Sequence, residues 1–182
     1  YALFLGEEEK LKEYDYIFYI DIDMRMVDVI GNELLGEGLT GVLHPMYDFR
    51  PGLRFPLEPN PISQAYIPVP KYYFCGGVQG GRSGEFLQAM KVMKRAIGTD
   101  LTKSYIAIWN DESHWNKYLS GYGGDLIVLS PSYIYPDSLI KEYYEPVWGC
   151  SYEPKIITLT KPFSLSFEGA EEISKFISEQ KK

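Results

Sequence analysis

The sequence predicts an α/β fold, and three observations carry that prediction. The first is Tyr16-Ile17-Phe18-Tyr19-Ile20, an unbroken apolar and aromatic run that leads into Asp21 and Asp23. A continuous run of this kind marks a strand covered on both faces, as in a mainly parallel sheet. The second is the set Phe86, Leu87, Met90, Met93 and Ile97, which recurs at helical spacing from Glu85 onward. The third is the alternation of strand-like and helical segments along the rest of the chain, without internal repeats or low-complexity tracts. At 182 residues the chain fits a single domain, 1–182, with a sizeable core.

Taken in order, Tyr1 to Tyr14 reads as a helix with Leu3, Phe4, Leu11 and Tyr14 available for packing. Val27–Leu35 reads as a short helix ended by Gly36 and Gly38, and Leu39–His44 as a second strand. Pro45 to Pro70 is a long Pro-, Gly- and aromatic-rich segment, whose apolar content predicts a packed functional loop. Lys71–Val78 reads as a strand entering a glycine-rich turn, Gly76 to Gly81. Gly98 supplies a stop for the central helix, and Met90 and Met93 serve as core filler. Tyr105–Trp109 is strand-like, Asn110–Leu119 helical, Leu126–Leu129 a short buried strand and Lys155–Leu159 a basic strand. An amphipathic helix from Ala170, with Ile173, Phe176 and Ile177 on one face, closes the chain.

Composition excludes several classes. A net charge of −7 is wrong for nucleic acid or an anionic membrane as main partner. Cys75 and Cys150 have neither metal-site spacing nor the density of a disulfide framework, so reduced thiols in a cytosolic protein are expected. No run of about 18 apolar residues predicts a membrane span. The aromatic content, 15% with 16 tyrosines, suits both half-buried packing and a sugar-like ligand.

Four places concentrate polar residues where ligands bind α/β sheets, at strand ends and turns. Asp21 and Asp23 supply hard oxygen ligands for Mg²⁺ or Mn²⁺, or else form a solvated turn. His44 follows a strand and is a structural hydrogen-bonder or a substrate contact. Gly76 to Gly81 allows close backbone approach or a tight turn, and it lacks the Walker and dinucleotide spacings. In Trp109-Asn110-Asp111-Glu112-Ser113-His114 the two carboxylates open a helix. There they either cap it or face a cleft together, and the helix dipole favours their ionised form.

These places occur in an order that resembles glycosyltransferase family 6, which includes the histo-blood-group A and B transferases and the α-1,3-galactosyltransferases. The blocks are Tyr19-Ile20-Asp21-Ile22-Asp23-Met24, Gly41-Val42-Leu43-His44-Pro45, Ser63-Gln64-Ala65-Tyr66-Ile67-Pro68, the Tyr72 to Gly81 stretch, Trp109 to Tyr118, and Leu129-Ser130-Pro131. Together they run from about Tyr1 to Lys161. The resemblance implies a GT-A fold, a Rossmann-like mixed sheet flanked by helices. Part of the N-terminal nucleotide-binding strands is expected upstream of Tyr1.

It also implies retaining transfer of N-acetylgalactosamine or galactose from a UDP-sugar to O3 of a galactoside or oligosaccharide acceptor. By carry-over Asp21 and Asp23 hold Mn²⁺ or another divalent cation against the donor diphosphate. Glu112 is the catalytic carboxylate and Asp111 holds the donor sugar. Cys75, Gly76 and Gly77 set donor choice, and glycine at both positions leaves room for an N-acetyl group, which leans to UDP-GalNAc over UDP-Gal. His44 and Trp109 match acceptor positions, and Asp137 replaces an expected acid after a one-residue shift. Lys155 and Lys161 share the spacing of two basic residues that contact the diphosphate. Asn110 departs from the family's histidine. Without the stem and anchor of animal members, a soluble cytoplasmic enzyme of bacterial or phage type is expected, with the lumenal part of a truncated Golgi enzyme as the alternative. A UDP-sugar- or carbohydrate-binding module without turnover is the competing function.

Overall fold

A computed structural model describes residues 1–48, 54–137 and 152–159. Two short helices, α1 (Ala2–Gly6) and α2 (Glu8–Leu11), replace the single helix expected for the N-terminal segment. They lead into strand β1 (Tyr16–Ile20) and, after a turn, β2 (Met24–Met26). Strand β3 spans Leu39–Leu43, helix α3 Pro45–Asp48, strand β4 Phe74–Arg82 and helix α4 Ser83–Thr102. Helix α5 (Asn110–Ser120) and strand β5 (Leu126–Leu129) follow, then a 3₁₀ turn at Pro131–Ile134 and the short strands β6 (Tyr135–Pro136) and β7 (Ile156–Thr158).

The main sheet has the order β1-β4-β3-β5, and a smaller one the order β2-β7-β6. β4 runs antiparallel to both β1 and β3, whereas β5 runs parallel to β3. The sheet is therefore mixed rather than mainly parallel. β1 lies at its edge, and all five of its residues are half-buried. Its aromatic run packs against neighbouring elements instead of sitting between two strands.

The glycine-rich stretch is strand, not turn. Gly80 is needed because a Cβ there would stand 2.3 Å from the Phe18 ring, which lies across the strand. Gly81 has φ +140° and approaches Gly38 so closely that a side chain would meet its carbonyl oxygen at 2.3 Å. Backbone pairing on both sides of β4 carries this segment through residues that disfavour strands intrinsically.

Other expectations also yield to tertiary contacts. α4 passes through Gly98 because Asp100, 1% exposed, anchors its last turn: Ser63 Oγ donates to it at 2.7 Å and Gln64 N–H at 2.9 Å. Val27–Leu35 is largely irregular, with one 3₁₀ turn at Asn32–Leu34, since β2 is drawn into pairing with the distant β7. Tyr105–Trp109 joins no sheet; the Tyr105 and Asn110 amides close turns onto Asp100 and Ala107. The described part of the long loop is packed, as expected. Buried Glu58 accepts from Tyr105 OH at 2.6 Å and from the Ile108 amide at 2.8 Å. Burial alone would raise this carboxyl, but those donors outweigh it and hold the group below its ordinary value. The helix expected from Ala170 lies outside the described residues.

Two cores cover the sheet. One gathers Leu39, Phe74, Phe86, Met90, Met93 and Trp115, with Phe86 and Trp115 edge to face at 6.1 Å; the other gathers Val42, Val78, Leu129, Ile134 and Ile156. Burying helical faces of this kind contributes about 1.5–3 kcal/mol per large side chain. No described helix is long and apolar enough to cross a membrane.

Candidate active site

Antiparallel pairing brings the start of β4 to the same edge of the sheet as the ends of β1 and β3, and α5 begins there too. Around this edge opens a cleft of about 590 Å³. Asp21, Asp23, His44, Cys75, Gly76, Gly77, Trp109, Asp111, Glu112 and Asp137 all line it. Ten of the twelve residues selected from sequence thus converge on one space. Lys155 does not line it: its Nζ lies 2.5 Å from Glu33 and over the Tyr133 ring, so reaching a donor would require leaving both. Lys161 lies outside the described residues.

Glu112 is fixed through both oxygens. Tyr73 OH donates to Oε1 at 2.6 Å and the Gly76 amide to Oε2 at 2.7 Å. The reason is local. Pairing with β1 begins only at Val78, so Phe74 and Gly76 extend past the end of their neighbour. α5 supplies the missing partners from residues one turn apart, which share a helix face. Asn116 accepts from the Phe74 amide at 2.8 Å and donates to its carbonyl at 2.7 Å, while Glu112 takes the Gly76 amide. Asn110 has φ +48°, a conformation that asparagine tolerates, and Asp111 and Glu112 follow it in the first turn. Neither carboxylate caps the helix. Both face the cleft.

A Cβ at Gly76 or Gly77 would crowd its neighbours. A side chain at Gly76 would meet Glu112 Cβ at 2.9 Å, and one at Gly77 would meet Met24 Cε at 2.3 Å and Asp21 Oδ2 at 3.0 Å. Both glycines line the cleft, and a side chain at either would require Glu112 or the end of Met24 to shift.

Asp21 and Asp23 occupy the turn between β1 and β2. The Asp21 amide donates to Gly77 O at 2.9 Å, the Leu159 amide to Asp23 O at 2.8 Å, and Tyr19 OH to the Asp21 carboxylate. Five carboxylates line the cleft, and no Lys or Arg stands among its described lining residues. Burial, then the charges of Asp21 and Glu112, push the Asp111 carboxyl upward. Such a cleft repels a diphosphate unless a cation intervenes. The donor set suits a divalent ion held by one or two carboxylates and completed by phosphate oxygens.

Burial holds the His44 imidazole below its ordinary pKa, against the pull of Glu112, so it is neutral at pH 7. Its Nδ1 accepts from the Met46 amide at 3.2 Å, and its ring sits in an aromatic cluster with Tyr47 and Tyr73. Burial and the charge of Glu112 push the Cys75 thiol up to about 12. The selection from sequence missed Tyr73 and Met24. Tyr73 sits inside a quoted block, but nothing in the sequence tells it apart from the adjacent Tyr72.

An α/β domain with a carboxylate pair at a strand end and a second pair opening a helix, all in one acidic cleft, has the oxygen donors to hold a divalent cation beside a bound substrate. The family model for glycosyltransferase family 6 matches residues 5–144, and the chain belongs to that family, whose fold is GT-A. It is 38% identical over 137 residues to histo-blood group ABO system transferase 1 of Rattus norvegicus, covering 74% of this chain and 39% of that protein. It is 33% identical over 128 residues to globoside α-1,3-N-acetylgalactosaminyltransferase 1 of Mus musculus, covering 69% and 36%. It is 28% identical over 140 residues to the O-antigen biosynthesis glycosyltransferase WbnI of Escherichia coli, covering 75% and 59%. The chain thus spans about two fifths of the length of the mammalian relatives it matches.

Proposed function

We propose that this chain carries the metal, donor-sugar and acceptor part of a retaining hexosyltransferase. The enzyme moves N-acetylgalactosamine or galactose from a UDP-sugar to O3 of a galactoside, forming an α-1,3 linkage. One observation supports this most: Glu112, fixed through both oxygens, shares a cleft with Asp21 and Asp23. A carboxylate held against the anomeric carbon can serve retention as nucleophile or as stabiliser of an oxocarbenium-like centre, the logic of retaining glycosidases. Glu112 fills that role, and Asp111 beside it binds the donor sugar. When bound at Asp21 and Asp23, Mn²⁺ or another divalent cation neutralises charge on the leaving diphosphate.

Neutral His44 presents hydrogen-bonding capacity to an acceptor hydroxyl, Trp109 offers an apolar face to a sugar ring, and Asp137 completes the acceptor side. Lys155 reaches the diphosphate only by exchanging Glu33 for it. Gly76 and Gly77 put no side chain on the cleft wall, which favours N-acetylgalactosamine over galactose as the transferred sugar. The whole enzyme is expected to work as a single GT-A catalytic domain in a cytoplasmic setting.

The test is sugar transfer from UDP-GalNAc and UDP-Gal to a fucosylated galactoside, with and without Mn²⁺, for this chain and for Glu112→Gln. Metal-dependent transfer that collapses in the variant supports the reading. Mn²⁺-dependent UDP binding without turnover replaces it with a binding module.

A further inference from the structure

His44, Cys75 and Glu112 come from the end of β3, the start of β4 and the first turn of α5, and each is half-buried. One ligand atom of each, an imidazole nitrogen, a thiol sulfur and a carboxylate oxygen, lies within 4.8 Å of the other two. Ligands around a tetrahedral Zn²⁺ stand roughly 3.4–3.6 Å apart, given the usual Zn–S, Zn–N and Zn–O lengths. Closing to that spacing would take movements on the order of 1 Å, which rotation of the His44 and Cys75 side chains would have to supply. We propose that His44, Cys75 and Glu112 form a second cation site, separate from the Asp21/Asp23 pair and selective for a thiophilic divalent ion such as Zn²⁺.

The chemistry of the three ligands sets the selectivity. Thiolate and imidazole suit Zn²⁺ and Co²⁺, whereas Mn²⁺ prefers carboxylate, phosphate and water. Binding forms an S–metal bond as the thiol releases its proton to solvent. Glu112 retains its bonds from Tyr73 and Gly76, because a carboxylate offers about four lone-pair positions and those donors use two. His44 gives up the Met46 amide or shifts its tautomer; that amide is exposed, so water replaces the bond. Three protein ligands leave a fourth position open to the cleft, as in catalytic rather than structural zinc sites. An ion held there occupies Glu112. On the transferase reading it acts as an inhibitor that Mn²⁺ does not mimic.

The site does not depend on that reading, and its test reads the metal directly. Co²⁺ is titrated into the full chain, and the thiolate-to-Co²⁺ charge-transfer band is followed in the near ultraviolet. The expected result is a band that saturates at one equivalent, survives Cys150→Ser, disappears in Cys75→Ser and is displaced by Zn²⁺. The paired variant Asp21→Asn, Asp23→Asn retains it, so failure of this site and failure of the transferase reading are seen separately. In the unmodified chain, saturating Zn²⁺ is expected to slow alkylation of Cys75 by iodoacetamide, since a thiolate bound to metal is no longer the free nucleophile. Mn²⁺ is expected to leave alkylation unchanged. Absence of the band, its persistence in Cys75→Ser, or equal protection by Mn²⁺ overturns the proposal.

Discussion

Asn116→Ala tests how the start of β4 is held, because one buried side chain there satisfies both main-chain groups of Phe74. Asn116 is 3% exposed and makes three bonds: from the Phe74 amide at 2.8 Å, to the Phe74 carbonyl at 2.7 Å and to the Glu112 carbonyl at 2.9 Å. Alanine leaves an amide and a carbonyl without partners in a setting that β1 does not reach. Each such group costs about 1–3 kcal/mol, so the two together give roughly 2–5 kcal/mol once some water entry is allowed. For a chain of this length that lowers Tm by about 5–15 °C. Urea unfolding monitored through the tryptophans measures the free energy. Asn116→Asp keeps the acceptor for the Phe74 amide but sets a buried carboxylate oxygen against the Phe74 and Glu112 carbonyls, so it is expected to cost at least as much as alanine. A loss under about 1 kcal/mol for Asn116→Ala would refute the reasoning, since Phe74 would then be finding partners elsewhere.

Glu112→Gln keeps an acceptor for Gly76, so its melting temperature should stay near that of the parent while sugar transfer falls at least about 100-fold, the scale of losing one preorganised electrostatic contact. Gly76→Ala places a Cβ 2.9 Å from Glu112 Cβ on a neighbouring helix. A cost of about 1–3 kcal/mol is expected, typical of forced overpacking, and urea unfolding reads it. Burial lowers the pKa of both His44 and His114, the only two histidines of the chain, with Glu112 opposing at His44 and Asp100 at His114. The folded state then binds fewer protons than the unfolded one below about pH 6.5, so stability is full above that value and drains as pH falls through it. Unfolding at pH 7.5 and 5.5 should show the loss, and His44→Gln with His114→Gln should flatten it.

What the sequence reveals follows the range of the interactions. β3, β5 and α5 are set by local apolar pattern and by nearby turn residues, and they fall where the sequence places them. The glycines of β4 read as a turn because their true requirement is steric. Phe18 crosses Gly80 and Gly38 crowds Gly81 from segments far away in sequence. Gly98 looks like a helix stop, yet Ser63 and Gln64 fix the next turn through Asp100. β2 depends on β7, more than a hundred residues further along. The candidate site came from the order of several blocks along the chain, since each carboxylate pair alone reads equally well as a solvated turn or a helix cap. Tyr73 and Met24 were not legible, since a tyrosine among 16 or a methionine among 5 carries no mark of what it touches.

The Gly76 amide ends in the carboxylate of Glu112 and not in another strand. Its proton is therefore a spectroscopic witness. Its chemical shift and exchange rate depend on whether that oxygen is charged, neutral, covalently bonded or drawn to a metal. Nuclear magnetic resonance of one backbone position can follow the state of the Glu112 carboxylate as metals, sugars or nucleotides are added, without a label placed on the group itself.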